Sequence, residues 1–197
     1  MTEPRIVAVC GFGRCGSTML MHMLEAGGIP MAEGAHPESG ENSSLTEALS
    51  AASAGRAVKL LDLKLASDQG VPVDISGPWS ILWLDRDPRW QAESFRKFIR
   101  AFGHPLSVRE TRVFRESLIR DRDPSLDWLR GWGHPLLTLT YEAVLADPTA
   151  AAERIAGFLP WASLDVLAMA RVVHVRSPRT APDLAFEVAG TRPVGGA

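Results

Sequence analysis

Cysteine is nearly absent from this 197-residue chain: Cys10 and Cys15 are the only two. They fall close together in one strand-and-turn unit, so the chain has no disulfide framework of the kind that staples small secreted domains. Long apolar runs are missing as well, and none approaches the length that crosses a bilayer. Met1-Thr2-Glu3-Pro4-Arg5 lacks the basic-then-apolar pattern of a signal peptide, which makes a cytoplasmic location the expectation. Charge of one sign is not in excess: the net charge of −2 gives no overall bias toward nucleic acid or an acidic membrane. The histidines show no metal-ligand spacing, and His104-Pro105 and His134-Pro135 read as turns. No internal repeat and no shift in composition marks a second domain. The expectation is one domain over residues 1–175, with 176–197 as loop or flexible tail, since that stretch holds Pro178, Pro182, Pro193 and Gly195-Gly196.

What is present is an ordinary globular composition, 46% hydrophobic and 22% charged, in a chain long enough to bury a substantial core. Apolar strand-like runs alternate with helical patterns. Strands are expected over 5–10, 57–61, 80–84 and 136–140, and helices over 17–27, 44–54, 88–102, 107–131, 149–159 and 163–173. Residues 28–43 read as a variable loop. This alternation predicts an α/β fold of three layers, α/β/α, around a central parallel sheet. Ser107-x-x-Glu110 reads as a capping box, and Asp123-Pro124 as a break or kink in the long helix that follows it.

The richest segment is Val9-Cys10-Gly11-Phe12-Gly13-Arg14-Cys15-Gly16-Ser17-Thr18, between the apolar strand Ile6–Val9 and a helical run from Met19. A glycine-rich turn at such a junction aims backbone N–H groups and a helix N-terminus at one point, which suits a phosphate or a sulfate. Gly11-x-Gly13-x-x-Gly16 matches the dinucleotide fingerprint. That reading needs a second strand ending in an acid about 20 positions on, and Gly27-Gly28-Ile29-Pro30 leaves little strand before Glu33. The same residues have the frame of a nucleotide-triphosphate loop, but Ser17 stands where that loop carries its lysine. Arg14 can substitute for that charge, and Asp85, closing the run Ile81-Leu82-Trp83-Leu84, is then available for magnesium.

A third reading fits best. Arg14-Cys15-Gly16-Ser17-Thr18 resembles the Arg-Ser-Gly-(Ser/Thr)-Thr loop of sulfotransferases that use 3′-phosphoadenosine 5′-phosphosulfate, with Cys15 in place of a serine. Two further segments follow in family order. Arg86 ends the second apolar run, Asp87-Pro88 completes an Arg-x-Pro pattern, and Ser94 lies eight residues after the arginine. Leu136–Glu142 is a strand leading into Ala143-Val144-Leu145-Ala146-Asp147-Pro148 and a helix ending in Phe158-Leu159, similar to the family's tail. The resemblance covers about residues 5–160 and implies a P-loop-like sulfotransferase fold. It implies that Gly13, Arg14, Cys15, Gly16, Ser17 and Thr18 hold the 5′-phosphosulfate, and that Arg86 and Ser94 hold the 3′-phosphate.

The resemblance further implies transfer of a sulfuryl group to a hydroxyl or amine of a small-molecule acceptor. No metal is required for this, because the sulfuryl group carries less charge than a phosphoryl group, and neither nucleic acid nor membrane is an expected partner. The family's strand-end histidine is missing from Ala57-Val58-Lys59-Leu60-Leu61-Asp62. Lys59, as a stabiliser of the bridging oxygen, and Asp62, as a base or acceptor guide, are the polar residues available there. Within the loop 28–43, Glu33, His36, Glu38 and Glu41 are further candidates for the base, with Glu41 preferred. A small-molecule kinase and a non-catalytic nucleotide-binding module remain the alternatives. Trp83 and Trp90 flank the proposed site and are candidates to stack on adenine. The arginines at 109, 112, 115, 120 and 122 read either as a solvated helix face or as a cover that neutralises an anionic substrate.

Overall fold

The structure, a computed structural model, describes residues 3–32 and 45–173. In chain order the elements are β1 (Ile6–Gly11), α1 (Ser17–Ala26), α2 (Leu45–Ala51), β2 (Ala57–Leu61), α3 (Leu63–Asp68) and β3 (Trp79–Asp85). They continue with α4 (Pro88–Ala101), α5 (Val108–Gly131), β4 (Leu136–Thr140), α6 (Tyr141–Ala146), α7 (Pro148–Phe158) and α8 (Val166–Arg171). The four strands form one parallel sheet in the order β2-β1-β3-β4.

Both faces of this sheet are covered, which is why its strands read as continuous apolar runs. Side chains alternate between two cores. Val7, Val9, Leu82 and Leu84 point into a core shared with Leu20 and Leu24 of α1, Ile155 of α7 and Met169 of α8. Ala8, Cys10, Ile81 and Trp83 point into the other, against Leu63 of α3 and Leu126 and Leu129 of α5. The three-layer α/β architecture expected from the sequence is the one observed.

The chain leaves β1 toward β2 on one side and later enters β3 on the other. The carboxyl ends of β1 and β3 therefore flank the point where the winding reverses, and such sheets bind ligands in the crevice there. The segment after β1 and the segment after β3 both open at this edge.

Three elements differ from the sequence expectation. Helix α3 follows β2 with no intervening loop, because Asp62 adopts left-handed backbone (φ 54°) and turns the strand directly into a helix. Tyr141 and Glu142 begin α6 rather than extending β4, since the Thr140 hydroxyl accepts from the Ala143 N–H at 3.3 Å and caps a new helix. Helix α5 runs unbroken through Pro124, where the neighbouring Ser125 hydroxyl donates to the Asp121 carbonyl at 2.7 Å. Its start is as expected, with both bonds of the Ser107/Glu110 capping box present.

Helix α5 also fixes the shape of the sheet's carboxyl edge. Arg122 forms an ion pair with Asp85, the last residue of β3, while Leu126 and Leu129 reach the core below it. The turns before Arg122 thus lie past the strand ends, where they pack on α4 and Phe114 stacks on Phe95 at 4.3 Å. Among the described residues, no helix is long and apolar enough to cross a membrane.

Candidate functional site

The turn from β1 into α1 is built on two left-handed residues, Arg14 (φ 68°) and Gly16 (φ 103°). Gly16 is the N-cap of α1 and supplies no side-chain cap, so no side chain of the cap residue competes with an anion at this helix N-terminus. A side chain at Gly16 has no room: an added Cβ would lie 2.4 Å from Cδ2 of Tyr141. The Tyr141 ring therefore seats the backbone of the turn, and the same ring carries the Arg86 guanidinium 4.4 Å from its centre.

From the other side of the crevice, Arg86 Nη1 donates to the Arg14 carbonyl at 3.0 Å. Its Nε is buried and has no hydrogen-bond partner. Burial pushes the Arg86 guanidinium below its ordinary value, and the nearby Arg14 adds to this while Tyr141 and Glu142 oppose it. A cation held in a desolvated place beside a second cation, with a donor unused, is an arrangement that an oxyanion relieves.

Helix α4 starts cleanly, with Asp87 accepting from the Arg89 N–H at 2.7 Å and Pro88 in its first turn. That start aims Gln91, Ser94 and Phe98 at the turn. Ser94 Oγ lies 3.4 Å from Arg14 Nε, and Phe98 lies under the Arg14 guanidinium at 4.7 Å. The buried Gln91 amide donates to the carbonyls of Phe12 (3.2 Å) and Gly13 (2.8 Å). Those carbonyls are drawn toward α4.

From the middle of β2, Lys59 Nζ lies 3.4 Å from Thr18 Oγ1 in the first turn of α1. The Asp62 carboxylate accepts from the Gly13 N–H at 3.3 Å. Separate contacts thus tie Gly13 to Asp62, Arg14 to Ser94 and Arg86, and Thr18 to Lys59, around the turn where three adjacent strands, β2, β1 and β3, end. Ser17 is buried at the head of α1. Glu41 lies outside the described residues, as do Glu33, His36 and Glu38.

Two residues singled out in the sequence are placed elsewhere. The Cys15 side chain is turned inward and packs in the core beside Gly11, and its N–H closes the turn onto the Phe12 carbonyl at 3.1 Å. It packs the turn and offers no thiol to a ligand. Burial is the main cause that pushes the Cys15 thiol up to about 12, and burial also raises Cys10. An acid whose pKa rises on folding stabilises the fold while both states keep the proton. That contribution fades as pH climbs from the ordinary thiol value toward about 12, because only the unfolded chain sheds its proton there. Iodoacetamide at pH 8 is expected to leave both thiols of the folded protein unmodified and to alkylate both in denaturant, as read by intact mass; modification of Cys15 in the folded protein would contradict its placement.

Trp83, the second residue, is buried against Phe12 (ring centres 5.5 Å apart), with its indole N–H on Asp85 at 3.0 Å, so it presents no face to an adenine. Trp90 is half-buried, with the Arg89 guanidinium 5.0 Å from its ring centre. Asp85 itself is engaged by Trp83 and by two nitrogens of Arg122.

Gln91 belongs to no motif of the sequence, Tyr141 lies in the segment similar to the family's tail without a ligand role there, and Arg122 is one of the arginines read as a solvated face or a cover. Gln91 had a signal: with Ser94 and Phe98 it shares one face of α4 at helical spacing, and a glutamine on such a face requires partners.

No protein-family model matches the chain, and no curated protein sequence matches it. Among solved structures it is similar to the crystal structure of mouse sulfotransferase SULT7A1 complexed with PAP, at a TM-score of 0.56 and 18% sequence identity, over 97% of this chain and 76% of that one. At that identity the likeness speaks for the fold, an α/β sulfotransferase-type fold.

Proposed function

We propose that this chain is a cytoplasmic sulfotransferase that moves a sulfuryl group from 3′-phosphoadenosine 5′-phosphosulfate to a hydroxyl or amine of a small-molecule acceptor. The observation that carries this reading is the contact of Arg86 Nη1 with the Arg14 carbonyl, made by a guanidinium whose Nε is buried without a partner. It draws two anion-binding elements from separate strand-helix junctions to one crevice, where a nucleotide with phosphate at both its 3′ and 5′ positions would engage both. The similar mouse structure is a complex with PAP, which supports this assignment.

In this reading the backbone of Gly16 and Ser17, with Arg14 and Thr18, holds the 5′-phosphosulfate, Gly13 shapes the turn through its N–H on Asp62, and Arg86 and Ser94 hold the 3′-phosphate. The bound donor supplies the activated sulfuryl group, and no metal takes part. Lys59, already against Thr18 at the head of α1, neutralises charge that develops on the bridging oxygen. Asp62, at the strand end, takes the proton of the acceptor. Its left-handed backbone holds the carboxylate against the turn. Gln91 keeps the carbonyls of Phe12 and Gly13 away from the anion by bonding both.

A kinase reading asks Asp85 for magnesium, yet that carboxylate is already taken by Arg122 and Trp83. Calorimetry with adenosine 3′,5′-bisphosphate and with magnesium-ATP separates the readings. Tight binding of the bisphosphate and sulfuryl transfer to at least one acceptor of a panel are expected. Preference for magnesium-ATP would replace this reading with the kinase, and bisphosphate binding without transfer to any acceptor would replace it with a binding module.

A further inference from the structure

Resting on the sulfotransferase reading, we propose that Arg115 is the acceptor-side anion contact, so that the acceptor carries an oxyanion group in addition to the hydroxyl or amine that receives the sulfuryl group.

The inward face of α5 repeats at helical spacing: Leu118, Ser125, Leu126 and Leu129 are buried on it, and Arg122 reaches Asp85 from it. Arg115 stands seven residues before Arg122, on the same face and about 10 Å further along the axis. Since Arg122 marks the end of β3, Arg115 projects past the strand ends, on the side where the turn after β1 and the start of α4 open. It adjoins Phe114, whose ring stacks on Phe95 of α4, one residue from Ser94.

The state of its guanidinium distinguishes Arg115 from the other arginines of α5. Arg112 pairs with Glu116, Arg120 with Asp121, Arg122 with Asp85 and Asp123, and Arg130 with Asp127. Arg109 is exposed. Arg115 Nε is buried without a hydrogen-bond partner. A guanidinium that buries one of its donors without a partner gives up hydration there, and none of the ion pairs formed along its helix engages it. Helices α4 and α5 together carry ten Lys and Arg against six Asp and Glu, while the whole chain is at −2, so positive potential is concentrated on this side of the crevice. The donor's two phosphate positions are met by the turn after β1 and by Arg86 with Ser94. Arg115 is a third cation, left for a third anion. A carboxylate, sulfate or phosphate on the acceptor satisfies its fork equally well.

The test uses matched pairs of acceptors that differ in one charge: 4-hydroxybenzoate against its methyl ester, and glucose 6-phosphate against glucose. Binding is measured calorimetrically to the protein saturated with adenosine 3′,5′-bisphosphate. The charged member of at least one pair is expected to bind at least tenfold tighter than its neutral partner. Arg115→Gln should bring the two within twofold and leave bisphosphate affinity unchanged, Arg115→Lys should keep part of the preference, and Arg109→Gln, which removes the same charge from an exposed position, should keep all of it. No charge preference in either pair, a preference that survives Arg115→Gln, or a drop in bisphosphate affinity in that variant would each overturn the assignment. Failure of the unmodified protein to bind the bisphosphate at all strikes the sulfotransferase reading itself, and the acceptor assignment falls with it.

Discussion

Replacing Arg86 with alanine is expected to weaken adenosine 3′,5′-bisphosphate binding by about a hundredfold or more. A hydrogen bond to a charged group contributes about 1.5–3 kcal/mol, a guanidinium fork makes two to one phosphate, and each 1.4 kcal/mol is about tenfold in affinity. Burial sharpens this estimate. The Arg86 guanidinium is stacked on Tyr141, stripped of part of its hydration, and tied at Nη1 to the Arg14 carbonyl. Its orientation is settled before a ligand arrives, so little ordering cost is set against the bonds it forms. Lysine should not rescue the loss, because an ammonium at this site offers a point charge and cannot serve the Arg14 carbonyl and a phosphate in one plane. Calorimetry on Arg86→Ala and Arg86→Lys checks the affinity. A loss of less than about fivefold in the alanine variant would remove Arg86 from the nucleotide site.

Thermal unfolding adds an independent reading of the same variant. A ligand present at a hundred times its dissociation constant stabilises the fold by about 2.7 kcal/mol. The unmodified protein should therefore gain several degrees in midpoint with the bisphosphate, and Arg86→Ala should gain close to none at the same concentration. Without ligand the two midpoints should lie near one another, since a desolvated cation with an unused donor contributes little net stability.

How much of this was legible in the chain depends on which physical signal each element carries. β1 and β3 are buried on both faces, so Ile6–Val9 and Ile81–Leu84 read as unbroken apolar runs, and Asp87-Pro88 marks the start of α4 by its capping chemistry. Period-two alternation also carried the fate of Trp83, which shares the face of Ile81 and so belongs to the core. Helix α3 left no such trace, because its start depends on a left-handed Asp62, a conformation that aspartate tolerates without requiring it. Tyr141 and Glu142 extend an apolar strand by propensity, and only the Thr140 cap diverts them into α6. For the site, the resemblance to sulfotransferase motifs pointed to Arg14, Arg86 and Ser94. The supports of those residues, Gln91 and Tyr141, act through backbone carbonyls and through contact with a glycine; Gln91 belongs to no motif, and the tail segment that contains Tyr141 carries no sign of which glycine or arginine its ring meets.

The second large effect concerns that glycine. Gly16→Ala is expected to destabilise the protein by roughly 3 kcal/mol or more, and the reason has two separable parts. Left-handed backbone at a residue with a Cβ costs of order 1–3 kcal/mol, and Gly16 sits at φ 103°. The new methyl would also lie 2.4 Å from Cδ2 of Tyr141 and 2.8 Å from Cε2, an overlap that forces the ring or the turn to move. The ring cannot move freely, because one of its faces carries Arg86. Tyr141→Ala in the Gly16→Ala background removes the overlap and leaves the backbone cost, so the double variant should recover part of the stability lost by the first substitution. A double-mutant cycle by denaturant unfolding, in which close pairs couple by about 0.5–3 kcal/mol, isolates that part. Nucleotide affinity should not recover with it, because the double variant lacks the ring that seats the turn and orients Arg86. Strict additivity of the two substitutions would show that the tyrosine and the turn do not share this contact, and would take away the physical basis for the orientation of Arg86.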